Sequence, residues 1–219
     1  MQDIQSRSQS LGAQLRRDFP IFSGDNKDLG YLDTAASSQK PSIVIERLSH
    51  YLSYEHANIH RGAYALSANA TELYEEARQK ISRFIGASKA EEVIFVRGCT
   101  EGINLVASSY GDLIPDGATI LVSLLEHHSN IVPWQLLQSR RKINLEFINI
   151  LDSGELDLND ALKKIKELKP KLVAITALSN AIGTVVPLEE IIEAVHHVGG
   201  VVLVDVAQAI AHQQIDLHK

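Results

Sequence analysis

One apolar run constrains the fold more than any other part of the sequence. Residues 201–204 are four consecutive apolar residues, three of them valine, and they end at Asp205. A run of this kind is typical of a strand covered on both faces, as in a parallel sheet. A carboxylate at the carboxyl end of such a strand lies where open α/β sheets bind ligands. Because a buried charge is costly without a partner, Asp205 is either a helix N-cap or a carboxylate that faces a cationic ligand atom.

Further short apolar segments precede this run, and helical segments separate them. The predicted strands are residues 93–96, 119–122, 145–150, 172–176 and 201–204, and the predicted helices between them lie near residues 99–110, 129–141, 157–168 and 187–198. This alternation predicts an α/β fold with βαβ units and a mostly parallel sheet flanked by helices. Upstream, helices are expected at 41–55 and 67–85, the second capped by Ser67 and ended by Gly86.

Composition excludes several classes of protein. The 219 residues are enough for one large domain, and a net charge of −6 without a basic stripe predicts no nucleic-acid partner. Cys99 is the only cysteine, which excludes an internal disulfide and a zinc site built on several cysteines. The sequence has no apolar run of transmembrane length and no secretory signal, so we expect no membrane partner and a cytoplasmic location, with an organelle as the alternative.

Polar residues follow the ends of four predicted strands. They are Thr100, His127, Asn180 and Asp205. Because the carboxyl ends of parallel strands meet at one edge of a sheet, we expect a single ligand site there. Residues 98–102 fit a phosphate site at a helix start, and they equally fit an ordinary turn in which Thr100 is the cap. By itself Asn180 is an ordinary turn residue.

Two other kinds of chemistry are less well supported by these residues. Cys99 lies at a predicted helix N-terminus, where a thiolate is favoured, but a small buried residue is the ordinary interpretation. A hydrolase built on Cys99 lacks both a G-x-S-x-G nucleophile elbow and a matched base. On an extended backbone His127 and His128 would point in opposite directions, so no metal site is expected.

Five segments of the chain together resemble one enzyme family. They are residues 31–37 (YLDTAAS), 59–62 (IHRG), 95–107 (FVRGCTEGINLVA), 126–135 (EHHSNIVPWQ) and 204–208 (VDVAQ). In this order they resemble the SUF-type (group II) cysteine desulfurases, which belong with the selenocysteine lyases to the class V aminotransferases. The resemblance implies the large domain of a fold type I pyridoxal-phosphate (PLP) enzyme over residues 31–219, after an N-terminal segment 1–30.

The resemblance implies pyridoxal 5′-phosphate as the cofactor and assigns residues to its ring. Asp205 would pair with the protonated pyridine nitrogen and keep the ring an electron sink. His127, the one catalytic residue assigned within the chain, would stack on the ring. Gln208 would donate a hydrogen bond to the ring hydroxyl, and Asn180 would orient the substrate carboxylate or the ring oxygen.

The same resemblance assigns the phosphate and substrate contacts. Thr100, Cys99 and the backbone after Gly98 would bind the phosphate, with Cys99 in place of the usual threonine. Val206 replaces a usual glycine or alanine beside Asp205 and could crowd the cofactor. Substrate or cross-subunit contacts in a homodimer are assigned to Ala35, Ala36, His60, Arg61 and Asn180.

The family pattern also contains groups that the 219 residues lack. The Schiff-base lysine lies in a Ser-x-His-Lys motif that would follow Lys219, and Lys219 itself is not that lysine. The catalytic cysteine, the arginine that binds the substrate carboxylate and the small domain would lie further on. We therefore expect the 219-residue chain, taken alone, to be inactive and to be an N-terminal portion of the enzyme.

Two functions of different class follow. The first is a cysteine desulfurase, which converts L-cysteine (or L-selenocysteine) to L-alanine and passes sulfur to an enzyme persulfide for iron–sulfur cluster assembly, with a sulfur-acceptor protein as a further partner. The second is a non-catalytic, truncated or decayed relative that binds cofactor weakly or acts only as a partner-binding chain.

The resemblance finally implies an order for the strands. The segment at 93–96 would pair only with strands beyond residue 219. The other four would assemble with the strand at 201 beside that at 172, then the strand at 119, and the strand at 145 at the edge. The strand at 201 would keep an open edge, which invites association.

Overall fold

The computed structural model describes residues 11–217, which fall into two compact units that meet in sequence between Phe84 and Ile85. The first unit is helical, with α1 (Leu11–Leu15), α2 (Ser42–His50) and α3 (Ala65–Phe84), and a π-helical turn, Tyr51–Glu55, continues α2. The expected division at residue 30, with one large domain over residues 31–219, stays a prediction.

Ser67 does not cap α3, because the helix begins two residues earlier at Ala65. The Ser67 hydroxyl instead donates to the Asn58 carbonyl oxygen at 2.6 Å and accepts from the Gly62 backbone N–H at 3.1 Å. Any side chain at position 62 would collide with Ser67, which explains the glycine of the Ile-His-Arg-Gly segment. Ser67 therefore holds the loop before the helix.

The second unit alternates helices and strands, as the hydrophobic pattern predicts. In chain order its elements are α4 (Cys99–Leu113), β1 (Thr119–Ser123), α5 (Val132–Arg140), β2 (Asn144–Ile148), α6 (Leu158–Leu168), β3 (Leu172–Thr176), α7 (Leu188–His197) and β4 (Val201–Asp205). The strands form one parallel sheet in the order β2-β1-β3-β4. This is the order expected for these four strands.

Helices cover both faces of this sheet, so every side chain of β1 and β3 is buried. Residues of one core join the sheet to α6 and α7: Leu121, Ile148, Val173, Ile175, Ile165, Ile191 and Val195. Those of the other join it to α4 and α5: Ile120, Val122, Leu172, Ala174, Ile103, Trp134 and Leu137. Burial on both sides is the reason that the strands are continuous apolar runs. No helix among residues 11–217 has the length and hydrophobicity needed to cross a membrane.

The prediction of a strand at 93–96 is wrong, because these residues belong to none of the four strands of the sheet. Ile94 is 66% exposed, although the segment is as apolar as the strands that do form. A strand needs a neighbour as well as an apolar pattern, and the expected order assigns its neighbours to residues beyond Lys219. The absence of residues 93–96 from the four-stranded sheet is therefore consistent with the expected strand order.

β4 is the edge strand at one side of the sheet, and Val201 is 39% exposed there. We expect the 219-residue chain to self-associate through this edge, since a row of backbone N–H and C=O groups can pair with another chain. A charge at the edge opposes such pairing, so V201K should shift sedimentation velocity profiles toward the 24.1 kDa monomer. V201T, which keeps the branched shape, is the matched control. Wild type that is monomeric at all concentrations would contradict this prediction.

Candidate functional site

The site is built on the pairing of β3 with β4. Thr176 lies opposite Asp205 in the parallel register, and the Ala177 backbone N–H donates to the Asp205 carbonyl oxygen at 2.9 Å. Asp205 is only 8% exposed, and its Oδ1 accepts from the Ala207 backbone N–H at 2.9 Å. The structure thus buries a carboxylate at the carboxyl end of the sheet, where α/β proteins bind ligands.

The start of α4 lies against this carboxylate. Gly98, with a φ of +153° that favours glycine, turns the chain into the helix, and Cys99 is its first residue. The Cys99 side chain contacts the side chains of Asp205 and Ser129. Although Cys99 is an exposed residue, partial burial of its thiol, together with the charge of Asp205 and a hydrogen bond to it, raises the pKa of Cys99 to about 12. Cys99 is thus a protonated thiol beside Asp205 and a poor nucleophile.

A second buried carboxyl group, Glu126, lies at the end of the same sheet. It is 9% exposed and accepts hydrogen bonds from the Ser123 hydroxyl, from the Thr176 backbone N–H at 2.8 Å and from Asn130 Nδ2 at 2.6 Å. Burial raises the pKa of Glu126 to about 7 against the opposing effect of these bonds, and the charge of Asp205 adds to the increase. Glu126 therefore connects β1, β3 and the turn that follows β1.

His127 occupies that turn with its ring exposed. Its Nδ1 accepts from the Ser129 backbone N–H at 3.2 Å and lies 2.8 Å from the Ser129 hydroxyl. Because a backbone N–H can only donate, Nδ1 carries no proton, and the neutral ring holds its proton on Nε2. The ring is thus held by one nitrogen, and His127 lines one cavity together with Glu126.

The remaining predicted residues lie around this edge in different surroundings. His127 and Asn180 line one cavity of about 330 Å³, and Thr100 lines another of about 380 Å³ beside Gly98. Gln208 is half-buried and directly precedes a 3-10 turn, Ala209–Ala211. The expectation that all of them converge on a single pocket stays a prediction.

Comparison with known proteins decides the family. Residues 30–219 match the family described as Aminotransferase class-V. The chain belongs to the class-V aminotransferase family.

Several class-V relatives carry the name cysteine desulfurase. The Dickeya dadantii cysteine desulfurase is 48% identical over 207 residues, which are 93% of this chain and 50% of the relative. The Synechococcus elongatus cysteine desulfurase is 44% identical over 93% of this chain and 33% of the relative. The apo structure of cysteine desulfurase from Thermococcus onnurineus NA1 is 38% identical, with a TM-score of 0.86 over 94% of this chain and 50% of that one. The chain therefore spans about half, or less, of the length of these relatives.

The other predicted class-V site residues lie in the first compact unit. His60 has a positive φ of +64°, its backbone N–H donates to Thr71 Oγ1 at 3.0 Å, and its Nε2 lies 3.4 Å from Glu75 Oε1. The Ala36 backbone N–H closes a turn on the Asp33 carbonyl oxygen at 3.2 Å. The roles predicted for Ala35, Ala36, His60 and Arg61 stay predictions.

Sequence reasoning missed two residues that shape this edge of the sheet. Glu126 and Ser129 both lie in the segment at 126–135, but the sequence alone predicts no role for either. The signal that could have found them is the polar run EHHSN directly after a buried strand, since polar residues buried at a strand end need partners. Cys99 was assigned to the phosphate, but its contact with Asp205 was not foreseen.

Alkylation of Cys99 tests the electrostatics of this edge. The folded chain should react with iodoacetamide at pH 8 at least about tenfold more slowly than the unfolded chain, because the thiolate is scarce at a pKa near 12. D205N removes the neighbouring negative charge, which lowers the pKa and should accelerate the reaction. Since Cys99 is the only cysteine, mass spectrometry reports it directly. D160N is the control, and equal rates in wild type and D205N would refute this interpretation.

Proposed function

We propose that this chain forms the cofactor-binding part of a PLP-dependent cysteine desulfurase. The reaction would convert L-cysteine, with L-selenocysteine as the alternative substrate, to L-alanine and pass the sulfur to an enzyme persulfide. The observation that carries this proposal is Asp205, a buried carboxylate in a class-V chain whose relatives are named cysteine desulfurases. A homodimer, a sulfur-acceptor partner and a cytoplasmic location belong to the same proposal.

The surroundings of Asp205 fit the ring of this cofactor. Among residues 11–217, the Asp205 carboxylate forms no salt bridge with a lysine, arginine or histidine, and the groups beside it include the Ala207 N–H and the Cys99 thiol. A buried carboxylate without a cationic partner is costly. A protonated pyridine nitrogen would supply the missing positive charge, so the site favours a cationic heteroaromatic ligand.

The start of α4 fits the phosphate. The helix runs for 15 residues from Cys99, and its first backbone N–H groups carry partial positive charge toward its N-terminus. Gly98 takes a backbone conformation that other residues rarely adopt, and the space around it is open. Thr100 adds a hydroxyl at the same place. We propose that Cys99 contributes through its backbone here, because its thiol faces Asp205.

The remaining residues would orient the ring and the substrate. Bound PLP supplies an electron sink for bond cleavage near the substrate α-carbon. Asp205 would pair with the pyridine nitrogen and hold a proton there, and His127, fixed through Nδ1, would stack on the ring. Gln208 would donate to the ring hydroxyl, and Asn180 would orient the substrate carboxylate or the ring oxygen. His60 and Arg61 would serve the site of a neighbouring subunit.

The second candidate is a non-catalytic relative that only binds cofactor or a partner. It shares the buried Asp205 carboxylate with the first candidate. In that case the Asp205 site would still bind the cofactor, but the chain would supply no covalent attachment for it.

Titration with PLP tests the cofactor assignment. Wild type should bind PLP with a saturable change in absorbance, and D205N should bind it at least about tenfold more weakly, since it loses the charge opposite the pyridine nitrogen. D160N is a matched control, because it removes a carboxylate that also accepts a backbone hydrogen bond in the same unit. Equal affinity of wild type and D205N would sink the assignment.

The same preparations test whether the 219 residues can turn over substrate by themselves. With PLP and L-cysteine, we expect the 219-residue chain to release neither alanine nor sulfide, because it contains no lysine in a Ser-x-His-Lys motif and no second cysteine. Alanine and sulfide are measured together over several hours. Sustained turnover by this chain would show that its own residues complete the catalytic site.

A further inference from the structure

We propose that Glu126 is a positioning residue, which joins the turn carrying His127 to the end of β3 opposite Asp205 and so sets the distance between these two groups. The inference rests on the proposed function for the identity of the ligand, because His127 and Asp205 are the groups assigned to the pyridine ring. It deepens that function by giving a role to a buried acid that the reaction itself does not use.

The first step is the nature of the groups around Glu126. Trp134 Nε1, which can only donate, bonds to Asn130 Oδ1 at 3.1 Å, and both residues are fully buried. The amide group of Asn130 must therefore turn its Nδ2 donor toward Glu126, which it meets at 2.6 Å. The Thr176 backbone N–H, at 2.8 Å, is also only a donor. The side chain at position 126 must therefore accept a hydrogen bond at each of its two terminal oxygen atoms.

The second step links Glu126 to His127. Residues 126 and 130 are tied to each other, so the turn between them is closed at both ends. Within it, Ser129 holds His127 through Nδ1, and the Asn130 backbone N–H donates to the His127 carbonyl oxygen at 2.8 Å. The His127 ring therefore takes its position from the turn that Glu126 anchors.

The third step links Glu126 to Asp205. The Thr176 N–H that Glu126 accepts belongs to the residue paired with Asp205 across β3 and β4. The hydroxyl of Thr176 donates to the Leu178 carbonyl oxygen at 3.0 Å and lies 3.4 Å from the Asp205 carbonyl oxygen. One carboxylate thereby fixes the His127 turn against the strand pair that carries Asp205.

An exchange of two isosteric groups tests this role. In E126Q, one oxygen can keep the Ser123 and Thr176 donors, but the new amide nitrogen then faces the Asn130 donor. In the double variant E126Q/N130D the acceptor moves to position 130, where one oxygen accepts from position 126 and the other from Trp134. The double variant restores every hydrogen bond of the cluster. Only the bond between positions 126 and 130 has its donor and acceptor exchanged.

Two readouts are compared in wild type, E126Q, N130D and E126Q/N130D. The first is the ¹⁵N spectrum of the His127 ring in the ligand-free protein, assigned with H127Q. The second is the dissociation constant for PLP. We expect E126Q to shift or broaden the His127 Nδ1 resonance and to weaken PLP binding about tenfold, as for an unsatisfied buried donor, and the double variant to restore both within about threefold.

D160N controls for a general loss of stability, since it should leave both readouts at wild-type values. A wild-type His127 spectrum and PLP affinity in E126Q would overturn the proposal, as would a double variant that folds but restores neither. If E126Q does not fold, the double variant is compared with N130D. Recovery of both readouts relative to N130D supports the proposal, and no recovery overturns it. If wild type does not bind PLP, the proposed cofactor is wrong, and the ligand-free His127 spectra still decide the role of Glu126.

Discussion

The parallel pairing of β3 with β4 is the interaction on which the rest of the site depends. It places Thr176 opposite Asp205, so a carboxylate that would otherwise end in a loop is buried at the edge of the sheet. The loops that follow the other strands reach the same edge because all four strands run in one direction. A shift in this register by one residue would turn Asp205 toward the opposite face of the sheet.

The electrostatics of this edge follow from its burial. Burial is the largest cause of the raised pKa values of both Cys99 and Glu126, and the negative charge of Asp205 increases each of them further. Three acidic groups therefore share one region, and Asp205 forms no ion pair within residues 11–217. A cation bound at Asp205 would offset its negative charge and so lower the pKa of both neighbours, and a protonated heteroaromatic ring meets that requirement.

Much of this arrangement could be predicted from the sequence, and the exceptions have physical causes. The strands β1 to β4 and the polar residues after them follow from local hydrophobic pattern and from the direction of parallel strands. Residues 93–96 have the same pattern but form no strand, since pairing depends on neighbours that a local pattern does not contain. The bond from Glu126 to Thr176 joins positions 50 residues apart, so only the folded chain shows it.

The most direct test of the account is a crystal structure of this chain with PLP bound. The account predicts the phosphate at the backbone of Gly98 and Thr100, the ring against His127, and the pyridine nitrogen within hydrogen-bonding distance of the Asp205 carboxylate. A ligand bound at another place, or a ring whose nitrogen points away from Asp205, would contradict it.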